Sequence, residues 1–325
     1  MQDTVAQVAV IGAGLAGISA AMTLVESDLP ATLFSADLPV GGRLGGAGHV
    51  DLGAQYFTAR HPAFRLASRE WQERGWVAEW PADLYRYDDE HGLRPSADDV
   101  QRLVAVPRMN ALAGHLVQGL PLQHADIVSL RRTTDDQWFL HSGEGAEYGP
   151  FSAVIIATPP AAATELLSVA PQLQQDVARV RMRPCWAVDL QFAQPLTTPV
   201  DACFVRSGPL DWLCRDSSKP QRAAGERWVL QSTASWAEQH AGASQEQVIS
   251  ELALAMSRVT GLSLPQPVAT TAFFWSQARP AEQLKWGALA APRLSLYVCG
   301  DWCLGGRVEN AWLSGRQAAQ ALLGQ

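Results

Sequence analysis

The chain has 325 residues, 47% of them hydrophobic and 18% charged, enough for a large buried core in one or two domains. A formal net charge of -7 excludes the basic footprint of a nucleic-acid binder, and no apolar run reaches the length of a membrane helix. The first seven residues have neither the basic region nor the apolar core of an export signal, and five cysteines without zinc spacing cannot all pair. The expectation is a cytoplasmic protein without a membrane, nucleic-acid or metal partner.

Val8 to Ile11 is a short apolar run that reads as a strand buried on both faces, and Gly12, Gly14 and Gly17 follow it at the spacing G-x-G-x-x-G. Gly12 lets the chain turn, Gly14 lets the backbone come against a pyrophosphate, and Gly17 lets the next helix lie close to the strand. That helix runs through Ala20, Ala21 and Leu24, and a second strand follows from Ala31 to Phe34. In this setting the glycines read as a dinucleotide site, with Ala13, Leu15 and Ala16 beside the phosphates, rather than as a plain tight turn. Gly41 to Gly46 is too glycine-rich for a regular element. It brings Gly42, Arg43 and Leu44 to the same pyrophosphate, with the arginine fork suited to phosphate oxygens.

His49 to Ala59 reads as an extended segment, and Pro62 starts an amphipathic helix through Trp71 that ends at Gly75. Between Trp76 and Val106 the short pieces WVAEW, LYRYD and RLVAV look like sheet from a second domain. A helix is expected from about Met109 to Val117, then a hairpin of Ile127 to Arg132 with Trp138 to His141 around Thr134-Asp135-Asp136. Ala153 to Ala157 is an apolar strand stopped by Pro159 and Pro160. From Pro184 to Phe274 strand-like runs alternate with one long helix, Ser244 to Val259, capped by Ser244 with Gln247 three residues on.

The end of the chain repeats the opening. Leu296 to Cys299 is a buried strand that delivers Asp301, and Gly305-Gly306 turns the chain into a helix whose first amides are near Val308 and Glu309. A helix N-terminus carries partial positive charge, which suits the N1 and C2 carbonyl edge of a reduced flavin. Together the two ends point to FAD rather than NAD, since NAD proteins need no distant C-terminal helix. The fold class expected is α/β: a Rossmann-like FAD-binding domain (1–75, 107–165 and 290–325) with an inserted, mostly antiparallel α+β substrate domain (76–106 and 166–289).

VAVIGAGLAG, GGRL, DLGAQYFTAR, VIIATP, WSQARP and YVCGDWCLGGRVENAWLSG resemble the FAD-dependent renalase group, in particular its bacterial members, from residue 8 to about 320. The first and last of these motifs are shared by the wider flavin amine oxidase superfamily. The DLGAQYFTAR and CGDWC stretches are the narrower ones. The resemblance implies non-covalent FAD and an oxidase that takes hydride from the 2- and 6-dihydro isomers of NAD(P)H, returns NAD(P)+, and gives hydrogen peroxide with dioxygen. A dihydropyridine that loses hydride becomes aromatic, so no catalytic acid or base is required, and no H-E-x-x-H, G-x-S-x-G or Cys-His pair is found.

The resemblance places Ser35 and Ala36 at the adenosine ribose, where relatives usually carry an acid, with Asp37 two residues later. It places Trp275 in the substrate cavity, with Gln277 and Arg279 close behind it in sequence; Gln55, Tyr56, Phe57 and Thr58 follow the glycine-rich loop and are expected near the flavin, Gln55 and Tyr56 also facing the substrate pocket, with Trp186 and Gln231 as lesser pocket candidates. Arg108 and Asn310 depart from glycines of the family, Asn310 being tolerable because asparagine accepts left-handed backbone. Two alternatives stay open. One is an amine oxidase, which needs a lysine at flavin N5; neither lysine of the chain, Lys219 in a polar loop or Lys285 in a turn, resembles that position. The other is a binding protein that has kept the fold and lost the flavin, as the Rab GDP-dissociation inhibitors have.

Overall fold

The computed structural model describes residues 7–36, 39–45 and 50–324, so Asp37, Gly46 and His49 of the motifs above lie outside the described residues. β1 (Val8–Ile11) is buried along its whole length. Such a strand needs neighbours on both edges and packing on both faces. It finds them inside a six-stranded sheet, parallel to β2 (Ala31–Ser35) on one side and to Ala153–Ile156 on the other. Leu122–His124 and Leu296–Val298 extend the parallel array, and Leu289–Ala291 closes one edge antiparallel. The first, middle and last parts of the chain thus share one sheet.

Alternation along β1 divides the layers. Val8 and Val10 face α1 (Leu15–Val25) and the C-terminal helix Val308–Leu323, while Ala9 and Ile11 face a second layer. That layer holds the expected hairpin, enlarged by a third strand to Ile127–Arg132, Trp138–Ser142 and Glu147–Phe151, and the helices Pro160–Leu166 and Pro171–Ala178. Packing on this face runs as far as Val177, past residue 165. On the opposite face α1 and the C-terminal helix touch backbone to backbone: a Cβ on Gly315 would lie 2.0 Å from the Ala16 carbonyl oxygen. Ser19 Oγ donates to the Trp312 carbonyl at 2.8 Å across the same contact.

The second large sheet has seven strands in the order Ala269–Pro280, Met182–Phe192, Glu226–Ser232, Leu210–Arg215, Ala202–Val205, Leu84–Asp88 and Gly92–Pro95. All neighbours are antiparallel except Ala202–Val205 with Leu84–Asp88. Its outer face, with Val188, Leu190, Leu213, Trp228, Leu230 and Ala272, packs with the helix Gln245–Thr260 in one core. That helix is capped as expected, Ser244 Oγ accepting from the Gln247 amide at 3.2 Å, and it ends on Gly261 at φ +71°. The inner face, with Ala187, Trp212, Cys214 and Val229, joins the core of the parallel sheet.

Some expectations are corrected. His49 to Ala59 forms no regular strand over its described part; Phe57 makes one isolated bridge to Leu103. The expected Met109 to Val117 helix is shortened to Ala111–Leu116. Val77–Glu79 and Leu103–Ala105 form a two-stranded ribbon of their own instead of joining the large sheet. Among the described residues no helix is long and apolar enough to cross a membrane.

Gly315→Ala is expected to destabilise the protein by about 1–3 kcal/mol, the usual cost of overpacking. Gly114→Ala, in a short helix where an added Cβ meets nothing within 4 Å, should be neutral or stabilising. Urea unfolding of the two variants checks the contrast.

Candidate active site

At the end of β1, Gly12 sits at φ +108° and a Cβ there would lie 2.8 Å from the Ala157 carbonyl oxygen. A Cβ on Gly17 would lie 1.8 Å from the Gly12 carbonyl oxygen. These two glycines are demanded by the fold. Gly14 is not: its φ is -73°, and an added Cβ would meet no atom within 4 Å. Packing within the chain gives no reason for glycine at 14, whereas the close approach of a pyrophosphate does. No side chain caps α1, so the amides of Leu15, Ala16 and Gly17 lead the helix without a side-chain partner. The Gly41 amide donates to the Ala13 carbonyl at 2.9 Å, which lays the single turn Gly42–Leu44 beside that helix start. These residues fit a dinucleotide pyrophosphate.

Ser35 is buried at the carboxyl end of β2, with its carbonyl accepting from the Ala125 amide at 2.9 Å and meeting His124 Nδ1 at 3.1 Å. Exposed Ala36 follows it. This is the edge at which doubly wound sheets take ligands. Arg43 forms a two-pronged pair with Asp301, at 2.5 and 3.2 Å, and donates to the Ala278 carbonyl at 3.3 Å. The glycine-rich loop, the Asp301 turn and the strand Ala269–Pro280 therefore meet at one guanidinium.

The C-terminal turn departs from expectation in detail. Gly305 and Gly306 have φ of +82° and +85°, and Arg307 continues the left-handed path at +105°. Asn310 lies inside the helix, not in left-handed backbone, and its Nδ2 donates to the carbonyls of Leu304 and Gly306 at 2.6 Å each. It braces the glycine turn. Val308 is half-buried against the main core. The Glu309 carboxylate is buried and accepts from the amides of Arg60 and His61 at 2.7 and 2.6 Å, anchoring the end of the DLGAQYFTAR segment. Arg108 leads into the helix Ala111–Leu116, its carbonyl accepting from the Ala111 amide at 3.0 Å.

Between this segment and the inner face of the seven-stranded sheet lies a cleft of about 390 Å³. Gly53, Ala54, Gln55 and Tyr56 line one side, and Gln231, Trp212, Phe204, Arg206, Asp211 and Arg279 the other. Of the pocket residues expected from sequence, Gln55, Tyr56, Gln231 and Arg279 are brought together here. Trp275 is on the correct face, but its indole N–H is engaged with the Leu52 carbonyl at 2.8 Å. Gln277 leaves the cleft: its Oε1 accepts from the Ala161 amide at 3.4 Å. Trp186 is misplaced by one step of strand alternation. It lies on the outer face, 5% exposed, tilted on Phe274 and donating to the His240 carbonyl at 3.0 Å. The Phe57 ring is buried against Phe64, and Thr58 is half-buried.

Sequence reasoning missed Phe204, Arg206, Asp211 and Trp212. Phe204 and Trp212 share the cleft face through the register of the sheet, and the adjacent Asp211 reaches it at an irregularity between Leu210 and Trp212, neither of which the sequence alone shows. Tyr56, Trp212 and Phe204 form a row with ring centroids 5.5 and 4.8 Å apart, and the Arg206 guanidinium covers the far end, 5.7 Å from Phe204. Arg279 pairs with Asp211 at 3.0 Å. Also missed was a buried charge cluster around Lys219. Although its Ser-Ser-Lys-Pro loop is polar, this residue is 2% exposed, against Asp216 and Asp51.

Several ionisable groups in and behind the cleft walls are held neutral by burial. Burial raises the Tyr56 pKa, with Arg102 only partly opposing it, and burial pushes the Cys214 thiol up to about 11 and Cys299 up to about 12. These thiols stay protonated and are poor nucleophiles. Asp189, buried on the inner face, is pushed up to about 6 by burial, with Arg227 opposing and Asp216 adding. Among the described residues no three or more His, Cys, Asp or Glu side chains are grouped to hold a metal ion.

A parallel dinucleotide sheet with glycine-led helices from both chain ends, closed by an antiparallel sheet over a cleft, defines the class of two-domain flavoproteins. The family model for flavin containing amine oxidoreductases matches residues 77–323, and the chain belongs to that family. Solved structures agree on the fold. The cyclohexylamine oxidase of Brevibacterium oxydans IH-35A superposes with a TM-score of 0.78 at 12% identity, covering 98% of each chain. A double mutant of putrescine oxidase, redesigned for cofactor binding, gives 0.76 at 12% identity over 98% of this chain and 100% of its own. A protein assigned as a protoporphyrinogen oxidase from Exiguobacterium sp. 255-15 gives 0.75 at 14% identity, over 98% of this chain and 99% of its own.

Two outcomes are expected. Gly14→Ala should unfold in urea like the unmodified protein yet bind flavin about tenfold more weakly or worse, whereas Gly17→Ala should lose stability itself; flavin titration beside urea unfolding separates the two. The second concerns pH. The folded Asp189 carboxyl keeps its proton to about 6, while the unfolded one releases it near 3.9. Its contribution is therefore full below the unfolded value and is lost as pH rises toward about 6, by at most about 3 kcal/mol. Asp189→Asn should remove this fall, so its stability relative to the unmodified protein should increase from pH 4 to 7; a constant difference would contradict the assignment.

Proposed function

We propose that this chain is an FAD-dependent oxidase of the 2- and 6-dihydro isomers of NAD(P)H, with segments 1–75, 107–165 and 290–325 holding the cofactor and 76–106 with 166–289 holding the substrate. Gly12 to Gly17 and Arg43 would take the pyrophosphate, Ser35 and Ala36 the adenosine side, and Asp301 with the helix start at Val308 and Glu309 the flavin side. When bound, FAD supplies the hydride acceptor, N5, and its reoxidation by dioxygen yields hydrogen peroxide. On this reading the flavin is held non-covalently, so acid precipitation should leave the yellow colour in the supernatant.

The observation that carries this reading is the charge at the cleft mouth. Arg279 is offset by Asp211, but Arg206 has no carboxylate partner among the described residues, and it stands at the end of the Tyr56, Trp212 and Phe204 row. A flat ring attached to phosphates suits that arrangement, by stacking and by charge. A protonated amine is repelled by it. The cleft also holds no free acid or base, since Tyr56 is a neutral phenol and Asp211 is paired. Substrate amines would need a proton removed; a dihydropyridine does not. The amine oxidase reading keeps its support from the family and from the putrescine and cyclohexylamine oxidases that share the fold.

Anaerobic mixing with a borohydride-reduced mixture of NAD isomers should bleach the flavin, at a rate nearly flat from about pH 6 to 9, where a required histidine would show a slope. Arg206→Ala and Arg279→Ala should raise the half-saturating concentration more than they change the limiting rate. Trp275→Ala should slow reduction on the order of a hundredfold by releasing the Leu52 carbonyl and the alignment it fixes. Faster bleaching by amines, or a bell-shaped reductive step traced to one side chain, would transfer the assignment to amine oxidation.

A further inference from the structure

Lys219 takes no part in the chemistry above, yet its ammonium is buried beside the cleft floor. Asp216 Oδ1 accepts from it at 2.7 Å, Asp51 Oδ2 lies at 3.5 Å, and Gln55 Oε1 accepts from it at 3.1 Å. Asp51 is also held by Arg222 at 2.6 Å and accepts from the Met109 amide at 2.8 Å. Two cations face two carboxylates, so the group is neutral as a whole. Burial works against the ammonium, and neighbouring Cys214, Asp216 and Asp51 outweigh it to raise the Lys219 pKa. The Cys214 thiol is itself protonated in the ordinary pH range, so the two carboxylates keep the lysine charged.

An ammonium only donates, and a carboxamide has one accepting and one donating end. Lys219 therefore decides which way Gln55 faces. The Cys214 thiol, 3.2 Å from the same Oε1, agrees with that choice. The Gln55 Nε2 is then left to donate to the Asp51 and Gly53 carbonyls. Gly53 in turn lies against the cofactor loop, where a Cβ would come within 2.3 Å of the Arg43 carbonyl oxygen, and the Ala54 amide donates to that same Arg43 oxygen at 3.0 Å.

We propose that Lys219 is a positioning residue: it orients the Gln55 carboxamide and so fixes the Gly53 to Tyr56 cleft floor against the Arg43 cofactor loop. The role is independent of which substrate the cleft takes, and its test needs none. The double variant Asp216→Asn with Lys219→Met removes one cation and one anion and leaves the Asp51–Arg222 pair intact. In the flavin-loaded protein it should unfold cooperatively, exchange the amides of residues 53–56 about tenfold faster, bind flavin several-fold more weakly and shift the visible flavin band. Gln55→Leu, which leaves the whole charge cluster in place, should reproduce these changes, and adding it to the double variant should add little. A folded double variant with unmodified exchange and flavin affinity would overturn the proposal. So would full additivity with Gln55→Leu. If the double variant does not fold, Gln55→Leu decides: faster exchange at 53–56 supports the role, and unchanged exchange ends it.

Discussion

The structure depends on a narrow passage of backbone. Gly53 is pressed so closely on Arg43 and Gly45 that a Cβ would lie 2.3 and 2.2 Å from their carbonyl oxygens. Nothing larger than glycine passes there. From that point the chain turns the carbonyls of Leu52 and Gly53 toward the other sheet, where Trp275 and Gln231 donate to them, while Gln55 of the same segment closes back on the Asp51 carbonyl. Buried carbonyls need such partners, since each one left unpaired costs about 1–3 kcal/mol. The seven-stranded sheet thus meets this segment through hydrogen bonds to its backbone as well as through the shared apolar core, and one of the donors, Gln231, also lines the cleft.

The charges beneath this passage follow a different economy. Replacing a buried ion pair with apolar groups is often neutral or favourable, whereas removing one partner leaves a stranded charge and is costly. The four charged groups around Lys219 are therefore poor evidence for stability. Their directionality matters more: lysine and arginine only donate and carboxylates only accept, so the cluster defines one arrangement of the loop carrying residues 216–222 against Asp51. Asp189 marks the limit of this device. Its Oδ1 has no hydrogen-bond partner though Arg227 Nε lies 3.3 Å away, and burial raises its pKa further than that arginine lowers it.

Elements with a strong local signal were legible in the sequence. The all-apolar β1, the glycine spacing, the Ser244 cap and the helix from Pro62 need only local chemistry, and they stand within a residue or two of expectation. The discontinuous sheet followed from matching the two chain ends. Failures lie where tertiary contacts decide. Trp186 and Trp212 are both tryptophans in strands, and only the register of the sheet tells which faces the cleft. Lys219 sits in a Ser-Ser-Lys-Pro stretch that looks solvated because its partner Asp51 is far away in the chain. Asn310 reads in the sequence as a residue of backbone freedom, while the helix starts early enough to make its side chain the useful part.

Fold and substrate part company at the rim. The glycines, helix starts and strand ends proposed to hold the cofactor belong to the parallel sheet, and oxidases of about one-eighth identity share the fold over nearly the whole chain. Along the inner sheet face each position alternates with one in the outer core, so Phe204 and Trp212 belong to the main core and cleft while Cys203 and Leu213 belong to the outer core. Arg206 lies at the tip beyond Val205, where the strand has ended and packing no longer limits the choice of residue. Charge can be changed there at little cost to stability, and the sign of that charge separates an ammonium from a phosphate. In a fold this widely shared, the residues that tell substrates apart are expected around the cleft mouth, which is where Arg206, Asp211 and Arg279 stand and where the proposed function places substrate selection.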